Sequence, residues 1–447
     1  MASAKRSCYN LYMSEFPNEL RCDHLILLVD DDPLLNAISA KLLLKPGGRI
    51  TLIYSEHSMQ PAERLEHWLH QNLTSAVIEP VQAQLCILEH TPASIYYRLD
   101  NALTQGTGNI ICLNYSNDGM RSIACHAYRA VEQWVKIHKY DVKPIFSYLD
   151  ARKHCLFFDP PYEEQIYIGD KLTLSLEDML YLRGIALVEA GSSPHLFLPK
   201  TARAIAADYS QRHRARVSVY QRWKEKELYP KCYMDKAGLW RRKSDLRKIR
   251  LAWPEDKAIA AALQEETGQH GQAELDIEAA QHAAGFSDPR DFCRWLDTFW
   301  LESCVIQALQ SLPDSLRPHQ IIQGAKVDLH RNDVSLDLVA IRGYQLFSFS
   351  FNSAVGTDAQ AQNALKLNLF EHFMRTRQIG GWLACAALVC VNEDSDRLQD
   401  AAYKQIDPYG SARVFGLPHL EELRAAIGYW FENQPRARPS KMLSVAY

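Results

Sequence analysis

From residue 24 onward the chain alternates short apolar runs with longer amphipathic ones, and this alternation constrains its fold more than any single motif. HLILLVD (24–30) predicts a strand, NAISAKLLL (36–44) a helix, RITLIYS (49–55) a second strand and AERLEHWLH (62–70) a second helix. QLCILEH (84–90) predicts a short strand and NIICLNYS (109–116) a clearer one, followed by NDGM and the helical stretch RSIACHAYRAVEQW (121–134). Strands separated by helices favour a parallel sheet with helices on its faces, an α/β class.

The strand, polar glycine turn and helix at 109–134 form an arrangement that exposes backbone amides at the carboxyl edge of a sheet, where an anion can bind. Asn114, Ser116, Asn117 and Gly119 are the candidate contacts, with plain turn formation as the other reading. The loop is neither GxGxxG nor a Walker sequence, which argues against a nicotinamide or a triphosphate. Asp30, Asp31 and Asp32 end the first strand; they suit loop ordering or a magnesium ion better than direct contact with a phosphate.

At 447 residues the chain exceeds one ordinary core, so two or three domains are expected. A formal charge of -3 excludes wholesale coating of nucleic acid and turns attention to local charge. The eleven cysteines are scattered without a CxxC pair, a pattern of a reducing compartment rather than of a disulfide framework or a zinc site. Lys5, Arg6, Glu15 and Glu19 interrupt the first twenty residues, and LACAALVCV (383–391) is too short to span a bilayer; a soluble cytoplasmic protein with no membrane partner is expected.

A boundary falls near 165, and GDKLTLSLEDMLYLRGI (169–185) opens the next region with Ser175 as a candidate helix cap. Segment 211–250 holds fourteen Lys or Arg against four Asp or Glu, interleaved with Tyr220, Trp223, Tyr229, Tyr233 and Trp240. Such a segment either neutralises phosphates and stacks a base, or is a solvated helical insertion whose aromatics anchor it. DIEAAQHAAGFSDPRDFCRWLDTF resembles the short helices of a winged-helix module.

The last third carries the sharpest constellation. FWLESCVIQALQSL (299–312) predicts an amphipathic helix, while KVDLH (326–330), VSLDLVAIR (334–342) and YQLFSFSFNS (344–353) predict strands, the last two joined as a hairpin at Arg342 and Gly343. Helical Glu302 approaching Asp337 would form an acidic pair suited to Mg²⁺ or Mn²⁺. Period-2 alternation puts Ser348, Ser350 and Asn352 on one face and Phe347, Phe349 and Phe351 on the other. A metal nuclease needs carboxylates for its cation and a lysine beside the water; Ser350 supplies no carboxylate and Asn352 no ammonium. Lys366, in NALKLNLFEHF (363–373), is a candidate replacement, with Glu371 further along; Glu302 and Asp337 also suit a purely structural role.

Four stretches, 24–55, 110–128, 300–309 and 365–391, resemble the CRISPR-associated Rossmann-fold (CARF) proteins joined to a restriction-endonuclease-like domain. The resemblance implies a Rossmann-like CARF domain at 1–165, a helical or winged-helix-like middle at 166–290 and a nuclease-like α/β domain at 291–447. It implies antiviral defence: a cyclic oligoadenylate bound across a homodimer activates a metal-dependent nuclease for RNA or single-stranded DNA. By resemblance, the ligand loops fall at Asp31 to Asn36 and at Asn114 to Arg121, with Arg121 standing in for a basic contact. Glu302 matches the helical acid, Asp337 the strand aspartate and Lys366 a recurrent lysine, whereas Ser350 and Asn352 stand where an acid and a lysine are expected. The expectation is a cyclic oligoadenylate sensor with a degenerate, repurposed nuclease-like domain; the alternatives are a ligand-activated nuclease or a regulatory scaffold that binds DNA or a protein.

Overall fold

The computed structural model describes residues 16–433 except 74–75, 83–91, 106–109, 117–120, 139–143, 170, 213–217, 235–238, 330, 354–358 and 408–409. The strand expected at 84–90 therefore lies outside the described residues. The chain divides into two compact units, Met1–Ala186 and Leu187–Tyr447.

The first unit is built on strands β1 (Cys22–Val29), β2 (Leu44–Tyr54), β3 (Val77–Gln82), β4 (Ile111–Asn114), β5 (Ile145–Asp150), β6 (Cys155–Phe158) and β7 (Gln165–Tyr167). Its helices are α1 (Leu34–Leu43), α2 (Met59–Asn72), α3 (Pro92–Gln105), α4 (Arg121–His138) and α5 (Leu176–Arg183). The sheet order is β3-β2-β1-β4-β5-β6-β7, parallel from β3 to β5 and antiparallel beyond. The α/β expectation holds, with the strand order of a doubly wound Rossmann-like sheet. Pro46, Gly47 and Gly48 form an irregularity inside the long strand β2, where its register with β1 shifts. Ser175 caps α5 as expected: its hydroxyl accepts a hydrogen bond from the Asp178 amide, and the Asp178 carboxylate accepts one from the Ser175 backbone N–H.

The second unit begins with edge strand β8 (Ala186–Glu189) and a helical run: α6 (Pro199–Arg212), α7 (Val219–Trp223), α8 (Tyr229–Cys232) and α9 (Lys243–Leu246). Strands β9 (Arg250–Ala252) and β10 (Glu274–Asp276) pair antiparallel among α10 (Lys257–Glu266), α11 (Ile277–Ala283) and α12 (Pro289–Arg294). Two π-helical turns, Lys224–Leu228 and Trp295–Phe299, interrupt this region. After α13 (Trp300–Gln310) come β11 (Gln320–Leu329), β12 (Asn332–Arg342), β13 (Gln345–Asn352), α14 (Ala359–Gly380), β14 (Cys385–Cys390), α15 (Ser395–Gln405), β15 (Ala412–Phe415), α16 (Leu417–Leu420) and α17 (Leu423–Asn433). The sheet runs β15-β14-β13-β12-β11-β8.

The hairpin of β12 and β13 turns at Gly343, whose φ of 64° is the left-handed conformation that glycine adopts without a Cβ penalty. Phe347 and Phe349 are fully buried on one face of β13, packing edge-on to Trp430 at 5.2 and 5.9 Å between ring centroids. The same core takes Tyr220 and Trp223 from the basic segment, Trp300 from α13 and Tyr209 from α6, so the helical run and the last sheet share one apolar interior. No helix among the described residues is long and apolar enough to cross a membrane. The described cysteines are free thiols, all buried except Cys125.

Candidate functional sites

In the first unit, β1 and β4 lie side by side although α1 carries the chain from β1 to β2, on the opposite side of β1 from β4. This reversal makes a topological switch point, and the crevice outside the carboxyl ends of the two strands is where an open α/β sheet binds ligands. Leu27 pairs with Asn114, so the turn carrying Asp31 and the segment carrying Ser116 leave the same sheet edge. Asp31 is exposed there. Asp32 is held by Arg183, at 2.8 Å, and its other oxygen accepts from the Leu34 amide at 3.2 Å, ordering the start of α1. Asn36 is buried, and its side-chain amide donates to the Leu28 carbonyl at 3.0 Å, tying α1 to the end of β1.

Asn114, also buried, sits in a short relay. Its amide donates to Ser147 Oγ at 3.0 Å and its oxygen accepts from Ser116 Oγ at 2.6 Å, while Ser116 Oγ accepts from the Leu149 amide at 2.6 Å. The relay fixes Asn114 and Ser116 against β5. Ser147 was not legible as a site residue, because its role depends on β5 lying beside β4. Asn117 and Gly119 lie outside the described residues; Arg121 opens α4, and its side chain is likewise outside them.

In the second unit, α13 and the hairpin bring Glu302 and Asp337 within electrostatic range. Burial pushes the Glu302 carboxyl up to about 8, with the Asp337 charge adding to the rise and a hydrogen bond from Gln323 opposing it. Asp337 keeps solvent access on β12, yet protein atoms crowd it and this partial desolvation raises its carboxyl above the usual range. The hairpin ladder ends at Leu338 and Phe349, which makes Asp337 and Ser350 the next positions on the two strands. Ser350 is half-buried, with its hydroxyl 3.5 Å from the Ala387 carbonyl. Asn352 ends β13 beside Cys390. Lys366 is exposed on α14, whose inward side carries Leu365, Leu369 and Phe373.

This donor set does not fit Mg²⁺ or Mn²⁺. Mg²⁺ takes six oxygen ligands, several of them usually waters, around one or two ionised carboxylates. Here Ser350 and Asn352 carry no charge, and burial raises both the Glu302 and the Asp337 carboxyls, which disfavours their ionised forms. Among the described residues no group of three or more His, Cys, Asp or Glu is placed to hold a metal ion.

The Glu302 shift has a measurable sign. Its folded value, about 8, lies above its ordinary 4.5, so its contribution to stability is fully present below that ordinary value and is lost as pH rises through the folded one. Glu302→Gln lacks the titration. Between about pH 5 and pH 9 the parent is expected to lose thermal stability relative to this variant; parallel melting-temperature curves would refute the assignment.

The basic segment is tied down. Tyr220 and Trp223 are buried, with Tyr220 donating to the Leu296 carbonyl at 2.7 Å and Trp223 to the Ala252 carbonyl at 2.6 Å. Lys231 pairs with Glu227, Lys243 with Asp288, Arg247 with Glu278 and Arg250 with Asp276. Three of these cations are therefore met by acids from 274–290, outside the segment. At the heart of the segment Lys224 is fully buried, its ammonium 3.2 Å from Asp297 Oδ1 and 3.1 Å from the Asp297 carbonyl. Tyr229 and Tyr233 donate to the same carboxylate at 2.8 and 2.9 Å, and Ser353, one residue past Asn352, lies 3.5 Å from the ammonium.

Two solved structures share this fold over nearly their whole length. Protein VC1899 from Vibrio cholerae matches with a TM-score of 0.61 at 14% identity, over 92% of this chain and 98% of that one. Can2 from Sulfobacillus thermosulfidooxidans, solved in complex with cyclic tetra-adenylate, matches with a TM-score of 0.59 at 12% identity, over 92% and 97%. At these identities the likeness is one of fold. No protein-family model matches the chain, and no curated protein matches its sequence.

Proposed function

We propose that the chain is a cytoplasmic, homodimeric CRISPR-associated sensor of a cyclic oligoadenylate, acting in antiviral defence through a nuclease-like unit that no longer cuts. The observation that carries the reading is the crevice at the β1 and β4 ends, where the relay of Asn114, Ser116 and Ser147 holds polar side chains at the carboxyl edge of the sheet. The whole-length likeness to a structure holding cyclic tetra-adenylate supports the ligand class. Asp31 discourages phosphate at its own position, so the phosphates are assigned to the amides and the start of α4 around Asn114 to Arg121. The uncharged Ser350 and Asn352 and the raised Glu302 carboxyl support an effector that engages single-stranded DNA, RNA or a protein without hydrolysis.

The test is calorimetric titration of the full chain with cyclic tri-, tetra- and hexa-adenylate. One ring size is expected to bind, and Asn114→Ala is expected to weaken it by about tenfold or more through loss of the relay that holds Ser116. Failure of every ring to bind overturns the sensor reading. Metal-dependent cutting of RNA or single-stranded DNA by the parent, abolished in Asp337→Ala, overturns the reading of a non-cutting effector and makes the chain a ligand-activated nuclease.

A further inference from the structure

Three acids, Asp30, Asp31 and Asp32, follow β1 directly at the sheet edge assigned to the ligand, and carboxylates there repel an oligonucleotide phosphate. A cation answers them from far along the chain. Arg183, the last residue of α5, sets Nη2 2.8 Å and Nε 3.1 Å from the same oxygen of Asp32. The Arg183 side chain is only 7% exposed and that of Asp32 31%, so the acid meets solvent and the arginine backs it. Nη1 of the guanidinium is buried with no hydrogen-bond partner among the described residues, so Asp32 does not use up its donors. The helix that carries the arginine is fixed independently of Asp32. Arg64 of α2 donates to the Leu182 carbonyl at 3.1 Å, and Trp68, also of α2, donates to Asp178 at 2.8 Å near the other end of α5.

We propose that Arg183 is a positioning residue of the ligand crevice, neutralising Asp32 so that the phosphates of an anionic ring can approach the turn that Asp32 caps. The inference rests on the sensor reading and names what lets such a ligand enter an acidic crevice. Asp32 has two tasks: one oxygen accepts from the Leu34 amide at 3.2 Å, ordering the start of α1, and the other takes the Arg183 charge. Without the arginine, the turn carries an uncompensated carboxylate against the ligand. Asparagine at position 32 keeps an oxygen for the Leu34 amide but removes the charge, which leaves the guanidinium to attract phosphate. The two single substitutions therefore move affinity in opposite directions, whereas a purely structural tether would weaken binding in both.

The test is calorimetric titration of the full chain with cyclic tri-, tetra- and hexa-adenylate at about 50 mM and about 500 mM salt. For the ring that binds the parent, Arg183→Gln is expected to weaken affinity about tenfold at the lower salt and Asp32→Asn to tighten it about threefold. Asp32→Asn combined with Arg183→Gln should return it to within about threefold of the parent, because the charge balance is restored. The differences should shrink at the higher salt, where the screening length falls to roughly 4 Å. A ring that binds the parent and Arg183→Gln alike, an Asp32→Asn variant that binds more weakly, or a double variant no better than Arg183→Gln overturns the role of Arg183 alone. If no ring binds the parent, the sensor reading falls and this role falls with it. Asp32→Asn leaves the arginine in place, so it decides the matter if Arg183→Gln does not fold.

Discussion

Replacing Asp297 with alanine is expected to destabilise the second unit by about 3–5 kcal/mol, the range found when one member of a buried charge pair is removed. The carboxylate receives the Lys224 ammonium and the hydroxyls of Tyr229 and Tyr233, so its loss strands a cation with no exposed surface and two partly buried donors. Burial already lowers the Lys224 pKa against the opposing pull of Asp297; without that pull, the lysine is driven further toward its neutral form. The double variant Lys224→Met with Asp297→Asn removes both charges and keeps an acceptor for the tyrosines. It is expected to recover most of the loss, since a buried ion pair exchanged for neutral groups of similar volume is often nearly neutral in stability. Urea unfolding of the three proteins measures this. A single Asp297→Ala variant as stable as the parent would remove the pair from any structural role.

The second large effect is a gain. Ser350→Glu with Asn352→Lys is expected to raise metal-dependent cutting of single-stranded DNA or RNA by about 10²-fold or more over the parent, the scale on which one well-placed charge-stabilising group acts. The physical argument rests on the hairpin: Ser350 follows the last ladder pair on β13, Asp337 precedes it on β12, and Asn352 lies two residues further along the same face. A carboxylate there would stand near Asp337 and Glu302, adding negative charge to a cluster whose carboxyls are already held above their usual range until a cation binds. Mn²⁺ should therefore raise the melting temperature of the variant and not of the parent. A variant whose stability ignores Mn²⁺ would show that the two positions do not share a site with Asp337.

The two effects differ in how far the sequence alone foresees them. The gain comes from a period-2 pattern, because alternation in LFSFSFN puts Ser348, Ser350 and Asn352 on the face opposite three phenylalanines, and the fold buries Phe347 and Phe349 as that pattern requires. The loss could not be read. Lys224 and Asp297 are 73 residues apart, each in a π-helical turn within an otherwise α-helical region, and nothing local marks either as a partner of the other. Lys224 looked instead like one cation among fourteen in a basic segment.

The sequence by itself determined the local elements: strands from apolar runs and alternation, helices from amphipathic spacing, the cap at Ser175, and the hairpin at Gly343. These follow from interactions within a few residues, where side-chain periodicity and backbone preference decide the outcome. Tertiary structure alone decided which groups meet. It placed Ser147 beside Asn114, set the Glu302 carboxyl against Gln323 and Asp337, and turned the cations at 231–250 toward acids, several of them contributed by 274–290. The physical reason is that charge and hydrogen-bond partners are chosen by proximity and burial in the folded chain, and both depend on contacts between residues distant in sequence.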